Sequence, residues 1–473
     1  MTGGPASCTI SNSFLIDGQR QYALNDVSHL AKNIRNAMYN NGVIWIDAEY
    51  VLGYGLVSGE VKWAHIVHLF DFCFERKLKI AGHLTKADIE LTKFSKMRVS
   101  HALHVLSRKT GNAIRWLVTH YPKQFGPEYL PTAIFCEKAG LFLDLAANYT
   151  KSMAFWRNDP LEKNGEKIAD MQHFVRFYCT MKLHKKQKKN TLKPTQSGVM
   201  ITVDSIIAIM KKCLSVKDFE FFLTKFCLND RIERFHGDHK AIQKSPTPLQ
   251  FKQNSKIISI TDYMGHGKRG NYGVNENRGF LTDFNSIKQF LDEEKKVEEY
   301  DIENLNALEF APRDFAELAS LAYLIGYLLN VTILTEKSNC KACALVFVVD
   351  FEKDDQEVNS LITAREYKAG ALVRPSRMAN AMFKRLEGIF RELSETFAKR
   401  KSINDILTIA FIKEAKESFP QAPDCHFDLM FRRFAKIRLH FEGEFLNAKM
   451  QIRQKDEVEN AAFGSKSSKG VNL

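Results

Sequence analysis

The sequence predicts an α/β protein in which helices greatly outnumber strands. Three observations carry that prediction. A short strand candidate, Gln21 to Asn25, runs directly into a capped helix; apolar residues recur at helical spacing from Trp63 to about Asn148; and the same spacing returns from Phe315 almost to the end. Spacings of three and four residues mark one buried face of a helix, whereas a strand would alternate. At 473 residues the chain has length for two to four domains with a substantial core.

Taken in order, residues 1–19 form a loose lead-in. Asp26 or Ser28 then caps a helix whose face carries Leu30, Ile34, Ala37 and Met38 and which ends at Asn40-Asn41-Gly42. An acid where a strand gives way to a helix lies at the C-terminal edge of a sheet, the usual place for an α/β site. Trp63, Ile66, Val67, Leu69 and Phe70 make one helical face. Val99, Ala102, Leu103, Val105 and Leu106 make a second, which Ile114, Leu117 and Val118 extend, and Leu141 to Asn148 closes the run. Residues 165–182 add an amphipathic helix. The stretch KLHKKQKKNTLK, Lys182 to Lys193, reads as a solvated basic linker or a phosphate-contacting strip, punctuated by Pro194 and Gly198. Helical signals resume at Val203. Residues 260–300 read as an exposed connector, and helices follow from Phe315. Arg374-Pro375-Ser376 opens a long helix, and two more precede a polar tail from Lys455 that is expected to be disordered.

The formal charge of +13 suits a polyanionic partner: DNA, RNA or nucleotide phosphates. Nine scattered cysteines, of which only Cys340 and Cys343 are close in sequence, suit a reducing compartment rather than a disulfide framework. The start, MTGGPASCTISNSF, has neither a basic nor an apolar signal region, and no run of about 20 apolar residues suggests a membrane span. These features predict an intracellular protein.

Four stretches carry chemistry. In LNDRIERFHG, Leu228 to Gly237, Asp230 and Glu233 stand one helical turn apart. Two converging carboxylates could hold a divalent cation on oxygen, and they also suit a solvated helix face. The following His236, Asp238 and His239 could be a metal site by composition, and read more readily as hydrogen-bonding or phosphate-facing groups. GHGKRGNYG, in the connector, lacks phosphate-loop spacing and reads as a flexible turn. Cys340-Lys341-Ala342-Cys343 supplies half of a zinc site, with Cys425, His426 and His440 as candidates for the other half; a pair of reduced thiols is the alternative.

In their order, these stretches resemble the P-element type of DNA transposase, including its THAP-domain relatives. The resemblance rests on DVSHLAKNIRN (Asp26, His29, Leu30, Lys32, Arg35, Asn36), on Lys96-Met97-Arg98-Val99, and on Leu228, Asn229, Asp230, Glu233, Phe235 and Gly237. It continues through SPTPLQF at Ser245 to Phe251, AYLIGY at Ala322 to Tyr327, the CxxC, and GALVRPS at Gly370 to Ser376, so that it covers most of residues 14–450. The resemblance implies an α/β ribonuclease-H-like core interrupted by a large, mainly α-helical insertion, with a helical C-terminal region. The parts fall at 1–50 and 201–260 for the core, 51–200 for a GTP-binding insertion, 261–311 for a connector, 312–454 for the C-terminal region and 455–473 for the tail. It implies three acids holding two Mg²⁺ ions that cut and join DNA, with Asp26 as the second acid, Glu233 as the third and Asp230 beside it. It places guanine contacts in FLDLAAN, Phe142 to Asn148, at Asp144 and Asn148. DNA, GTP, a homo-oligomer and the nucleus follow from the same source.

Departures from the family pattern are equally specific. The Gln before Asp230 is missing, His236 replaces a Phe, and the spacing from Asp144 to Asn148 is one longer than in the family. Upstream of Asp26 the sequence offers only Asp17, in the turn FLIDGQ, for the first acid, and no zinc-coordinating DNA-binding module. The expectation is therefore a truncated or domesticated transposase that binds DNA non-specifically and does not cleave it. The rival is a non-catalytic nucleic-acid-binding or regulatory protein derived from a transposase.

Overall fold

The computed structural model describes residues 12–92, 95–159, 162–188, 191–263, 312–334, 339–367, 369–397 and 403–467. They form two units, one built from 1–68 and 84–278, the other from 69–83 and 279–473.

The first unit opens with a hairpin of β1 (Ser13–Ile16) and β2 (Gln19–Tyr22), turned at Asp17 and Gly18, both at positive φ. Asp-Gly tolerates that left-handed turn, whose twist matches the strands. The strand expected at Gln21 to Asn25 thus ends at Tyr22. Beyond it, the backbone at Ala23 and Asn25 is strapped to a later helix, through Ser205 Oγ donating to Ala23 O (2.6 Å) and Asn25 N donating to Thr202 Oγ1 (3.0 Å). Helix α1 (Val27–Asn41) follows, capped by Asp26 and stopped at Gly42, as the spacing predicts. Next come β3 (Val43–Trp45), α2 (Ala48–Gly53) and β4 (Glu60–Lys62), with β3 and β4 antiparallel, and α3 (Trp63–Phe74), of which residues 63–68 belong to this unit.

Helices α4 (Lys86–Ile89), α5 (Val99–Val105), α6 (Arg108–His120) and α7 (Leu130–Ala146) continue the unit. α6 and α7 cross closely because each presents a glycine to the other. A Cβ on Gly140 would lie 2.6 Å from Arg108 N, and one on Gly111 2.6 Å from Ala133 O. Then follow β5 (Phe155–Trp156), α8 (Lys163–Thr180), α9 (Pro194–Ser215) and β6 (Phe221–Phe222), which pairs with β5. Pro194 does not end a linker; it is the first residue of α9, where its missing N–H costs nothing. Gly198 lies inside that helix, where a Cβ would be 3.0 Å from Leu30 Cδ2, so it serves the α1 contact instead of breaking the chain. α10 (Asp230–Ile242) and α11 (Pro248–Tyr263) pack through Phe235, His239 and Phe251.

In the second unit, α12 (Phe315–Thr332) is followed by α13 (Lys341–Phe347), β7 (Val348–Val349), α14 (Ser360–Arg365) and β8 (Arg374–Pro375), with β7 and β8 antiparallel. Helices α15 (Arg377–Phe397), α16 (Ile403–Ser418) and α17 (Phe427–Ser467) complete it. Its core joins Phe383, Phe411, Phe431 and Phe434, three of the ring pairs meeting edge to face and Phe411 lying tilted against Phe434. α12 is apolar and long enough, by length and composition, to cross a membrane, which no apolar run in the sequence suggested; 72% of that window is buried inside the protein. α17 runs on past Lys455, where disorder was expected: Lys, Gln, Glu and Ala favour helix, and extending one is easier than starting one.

The protein is thus mostly helical. Each sheet among the described residues has two strands, so the sheet of a ribonuclease-H-like core is not seen there. Most of the expected connector, with GHGKRGNYG and the acidic stretch after it, lies outside the described residues.

Candidate functional site

Asp26 stands at the N-terminus of α1, its side chain mostly buried. It accepts a hydrogen bond from Ser28 N (3.2 Å) and faces His29 Nε2 at 3.7 Å. A carboxylate there is favoured by the helix dipole as well as by the free N–H groups. The next motif residues point inward. Arg35 is fully buried, donating from Nη2 to Lys96 O and from Nε to Asn36 Oδ1, both at 2.9 Å. Burial lowers its pKa to about 10, and the charge of nearby Asp88 opposes the fall.

Asp230 and Glu233 occupy the first turn of α10, as their spacing predicts. Their side chains lie outside the described residues. Farther along the same helix His239 is buried, stacked on Phe251 at 4.0 Å and within 3.1 Å of Ser255 Oγ, a packing and hydrogen-bonding role.

Asp144 and Asn148 diverge at the end of α7. Asp144 is half exposed and lies 3.4 Å from Arg108 Nε. Burial at the crook of α6 and α7 raises the pKa of its carboxyl, and the charges of Arg108 and Lys109 oppose the rise. Asn148 is buried. It accepts from Thr150 N (2.9 Å) and donates to Met153 O (2.6 Å), while its own N–H reaches Thr224 Oγ1 (2.8 Å). Its amide therefore holds a loop.

Two groupings were not anticipated. Asp88, fully buried, accepts from Thr85 N and Oγ1 (2.7 and 2.8 Å) and meets His101 Nδ1 at 2.6 Å and His104 Nδ1 at 3.1 Å. Burial alone would raise this carboxyl, but hydrogen bonds from the two imidazoles and Thr85 hold it well below the usual range. The signals were a capping box at Thr85-x-x-Asp88 and His101-x-x-His104 on one helix face. The second is an open groove of about 460 Å³, where Trp45 and Asp47 face Thr180, Lys182 and Lys185. It forms because the backbone of Trp45 and Lys182 exchanges two hydrogen bonds of 2.9 Å, folding the basic stretch beside β3.

In the second unit the CxxC finds partners. Cys340 Sγ and Cys343 Sγ lie 3.8 and 3.2 Å from Cys425 Sγ, and His426 Nδ1 is 3.5 Å from Cys343 Sγ and 3.2 Å from Cys425 Sγ. His440, the other late candidate, lies farther along α17 and faces Glu444 at 3.6 Å.

Residues 28–152 match the family model of the TNP-like, GTP-binding insertion domain. The match covers 125 of the 473 residues, and it is that stretch which is similar to the family. Among solved structures, the Drosophila P element transposase strand transfer complex is similar over 53% of this chain and 55% of that one, with 20% identity and a TM-score of 0.42. No curated protein matches.

The matched stretch holds Arg35, Asp88, His101, His104, Asp144 and Asn148, and begins two residues after Asp26. The groove lysines, α10 and the cluster of Cys340, Cys343, Cys425 and His426 lie beyond it. The resemblance implies Mg²⁺, which needs several oxygen ligands together. Among the described residues, the side chains grouped closely enough to hold a metal are Asp88, His101 and His104, and Cys340, Cys343, Cys425 and His426. Asp26 is in neither group, and the side chains of Asp230 and Glu233, which the resemblance sets beside it, lie outside the described residues.

Proposed function

We propose that this chain is the GTP-binding, DNA-associating core of a P-element-type transposase. The observation that carries the reading is the match of residues 28–152 to the GTP-binding insertion domain. The excess of 13 positive charges supports a polyanionic partner such as DNA. Such a partner would put its work in the nucleus. The family resemblance assigns the metal-holding acids to Asp26 and Glu233, with Asp230 alongside, in a core of ribonuclease-H type.

For the nucleotide, the resemblance points to Asp144. A carboxylate accepts from both donors on the guanine edge, N1–H and the 2-amino group. Its contact with Arg108, half exposed at 3.4 Å, is weak enough for a nucleotide to displace. Asn148 is assigned to positioning, since its amide closes the loop behind Asp144. The groove at Trp45 favours a second location, because it combines an aromatic face, the Asp47 carboxylate and two lysines, the groups a purine nucleotide needs.

Titration calorimetry of the full chain with GTP, with and without Mg²⁺, tests the reading. Saturable binding that Asp144→Ala weakens about tenfold, near 1.4 kcal/mol, supports the first location. Loss on Asp47→Ala instead moves the site to the groove. A folded chain that binds no GTP would overturn the nucleotide reading. DNA association is read separately, by the fall of affinity for duplex DNA with rising salt. A specific observation favours a non-catalytic, nucleic-acid-binding protein as the second reading: the described contacts of Asp26 are those of a helix cap. Mg²⁺-dependent cleavage that disappears in Asp26→Ala and Glu233→Ala would rule that reading out.

A further inference from the structure

We infer that Cys340, Cys343, Cys425 and His426 form a tetrahedral zinc site that pins the start of α17 to the start of α13. The proposal is independent of the nucleotide reading, which concerns the other unit. All four candidate ligand atoms lie within 4.8 Å of one another. Zinc–sulfur bonds of about 2.3 Å and zinc–nitrogen bonds of about 2.0 Å, at tetrahedral angles, separate two sulfurs by roughly 3.8 Å and sulfur from nitrogen by roughly 3.5 Å. The observed separations of 3.8, 3.2, 3.5 and 3.2 Å are close to that shape.

Local structure explains the convergence. Cys340 stands at the N-cap of α13, its N–H tied to Ile333 O (3.1 Å), and Cys343 follows one turn on. Cys425 and His426 occupy the turn before α17, closed by Phe427 N donating to Asp424 O (3.1 Å). Phe427 packs beside Phe347 and on Phe431, so one side of the cluster is apolar and Cys343 is buried. A disulfide would use two of the three thiols and leave the third thiol and the imidazole without a purpose at this distance. A closed set of three thiolates and one imidazole is the donor chemistry of structural zinc, not of a site that keeps a position open for substrate.

The consequence lies in the fold. Cys343 and Cys425 are 82 residues apart, and metal binding would close that length of chain and stabilise the second unit. The test is the metal content of the full chain, purified under reducing conditions without added chelator. One zinc per chain is expected. Cobalt exchanged into the site should give tetrahedral d–d bands with thiolate charge transfer. Cys343→Ser and His426→Ala should lose the metal, His426→Cys should keep it as a four-thiolate site, and His440→Ala should leave it unchanged. If Cys343→Ser does not fold, chelation of the unaltered chain followed by return of zinc decides the matter: a lowered and then restored melting temperature supports the site. A folded chain that takes up neither zinc nor cobalt would overturn the inference, as would a Cys343–Cys425 disulfide in protein purified without oxygen.

Discussion

Acidification below about pH 6.5 should destabilise the first unit, and His65 is the reason. This residue of α3 is buried, its Nδ1 is 2.9 Å from Thr132 Oγ1, and its ring stacks on Tyr129 at 3.9 Å. Lys62 N donates to the same Thr132 oxygen (3.1 Å), so the threonine's own hydrogen is available to a neutral imidazole. Burial first, and then the charge of Lys62, lower the pKa of His65 from 6.5 to about 4. Between those values the unfolded chain binds more protons than the folded one. Stability is therefore complete above about pH 6.5 and is lost as the pH falls toward 4. The gap from 6.5 to about 4, at about 1.4 kcal/mol per pH unit, gives a loss of up to about 3 kcal/mol. Urea unfolding of the full chain across this range would measure it. His173 is lowered in the same direction by burial and adds slope of the same sign, so the informative comparison is with His65→Asn. That variant should be less stable at neutral pH but should lose most of the pH dependence attributed to His65. An unchanged slope, or an imidazole resonance of His65 titrating near 6.5, would refute the reasoning.

Three other substitutions have clear expectations. Glu387 and Arg438 are both fully buried and joined by bonds of 2.6 and 2.8 Å, so Glu387→Ala leaves a buried guanidinium unpaired. It should cost the second unit about 3–5 kcal/mol by denaturant unfolding. Gly140→Ala would set a methyl 2.6 Å from Arg108 N and force α6 and α7 apart, which should appear as a lower melting temperature of several degrees. Asp88 has its carboxyl held below the usual range, so its contribution is present above about pH 4 and is lost on further acidification. Asp88→Asn should flatten the unfolding profile there.

The helices were legible because their apolar spacing is strong and their caps are local. Asp26 and Gly42 bound α1 where the sequence places them. Residues whose meaning depends on a distant partner were not legible. Pro194 looks like punctuation until it is seen to begin α9, and Gly198 like a break until Leu30 is found against it. The cluster of three cysteines and a histidine shows the same division. Cys340 and Cys343 announce themselves by spacing, but the choice of Cys425 and His426 over His440 depends on how the chain enters α17. Asp88, His101 and His104 are not legible in the sequence because two individually ordinary local patterns meet only through the loop between them.

The two early stretches that resemble the transposase family turn out to be partners. Arg35, from DVSHLAKNIRN, donates to the carbonyl of Lys96, the first residue of the Lys96 to Val99 stretch, 61 positions away. Lys96 returns the contact, its Nζ lying 3.2 Å from Asn40 Oδ1 and 4.6 Å from the centre of the Tyr39 ring. Arg35 also carries its charge near buried Asp88. These positions therefore fix how α1 sits against the segment leading into α5, and in doing so fix where the N-terminus of α1 holds Asp26. Within one short motif, the acid and the arginine have different tasks. Arg35→Ala should loosen the first unit as a whole, because it leaves the Lys96 carbonyl without this donor and removes a cation from beside Asp88. Asp26→Asn, which keeps an oxygen for the Ser28 N–H, should leave the fold nearly unchanged, so that any loss of DNA chemistry in that variant can be assigned to the carboxylate itself.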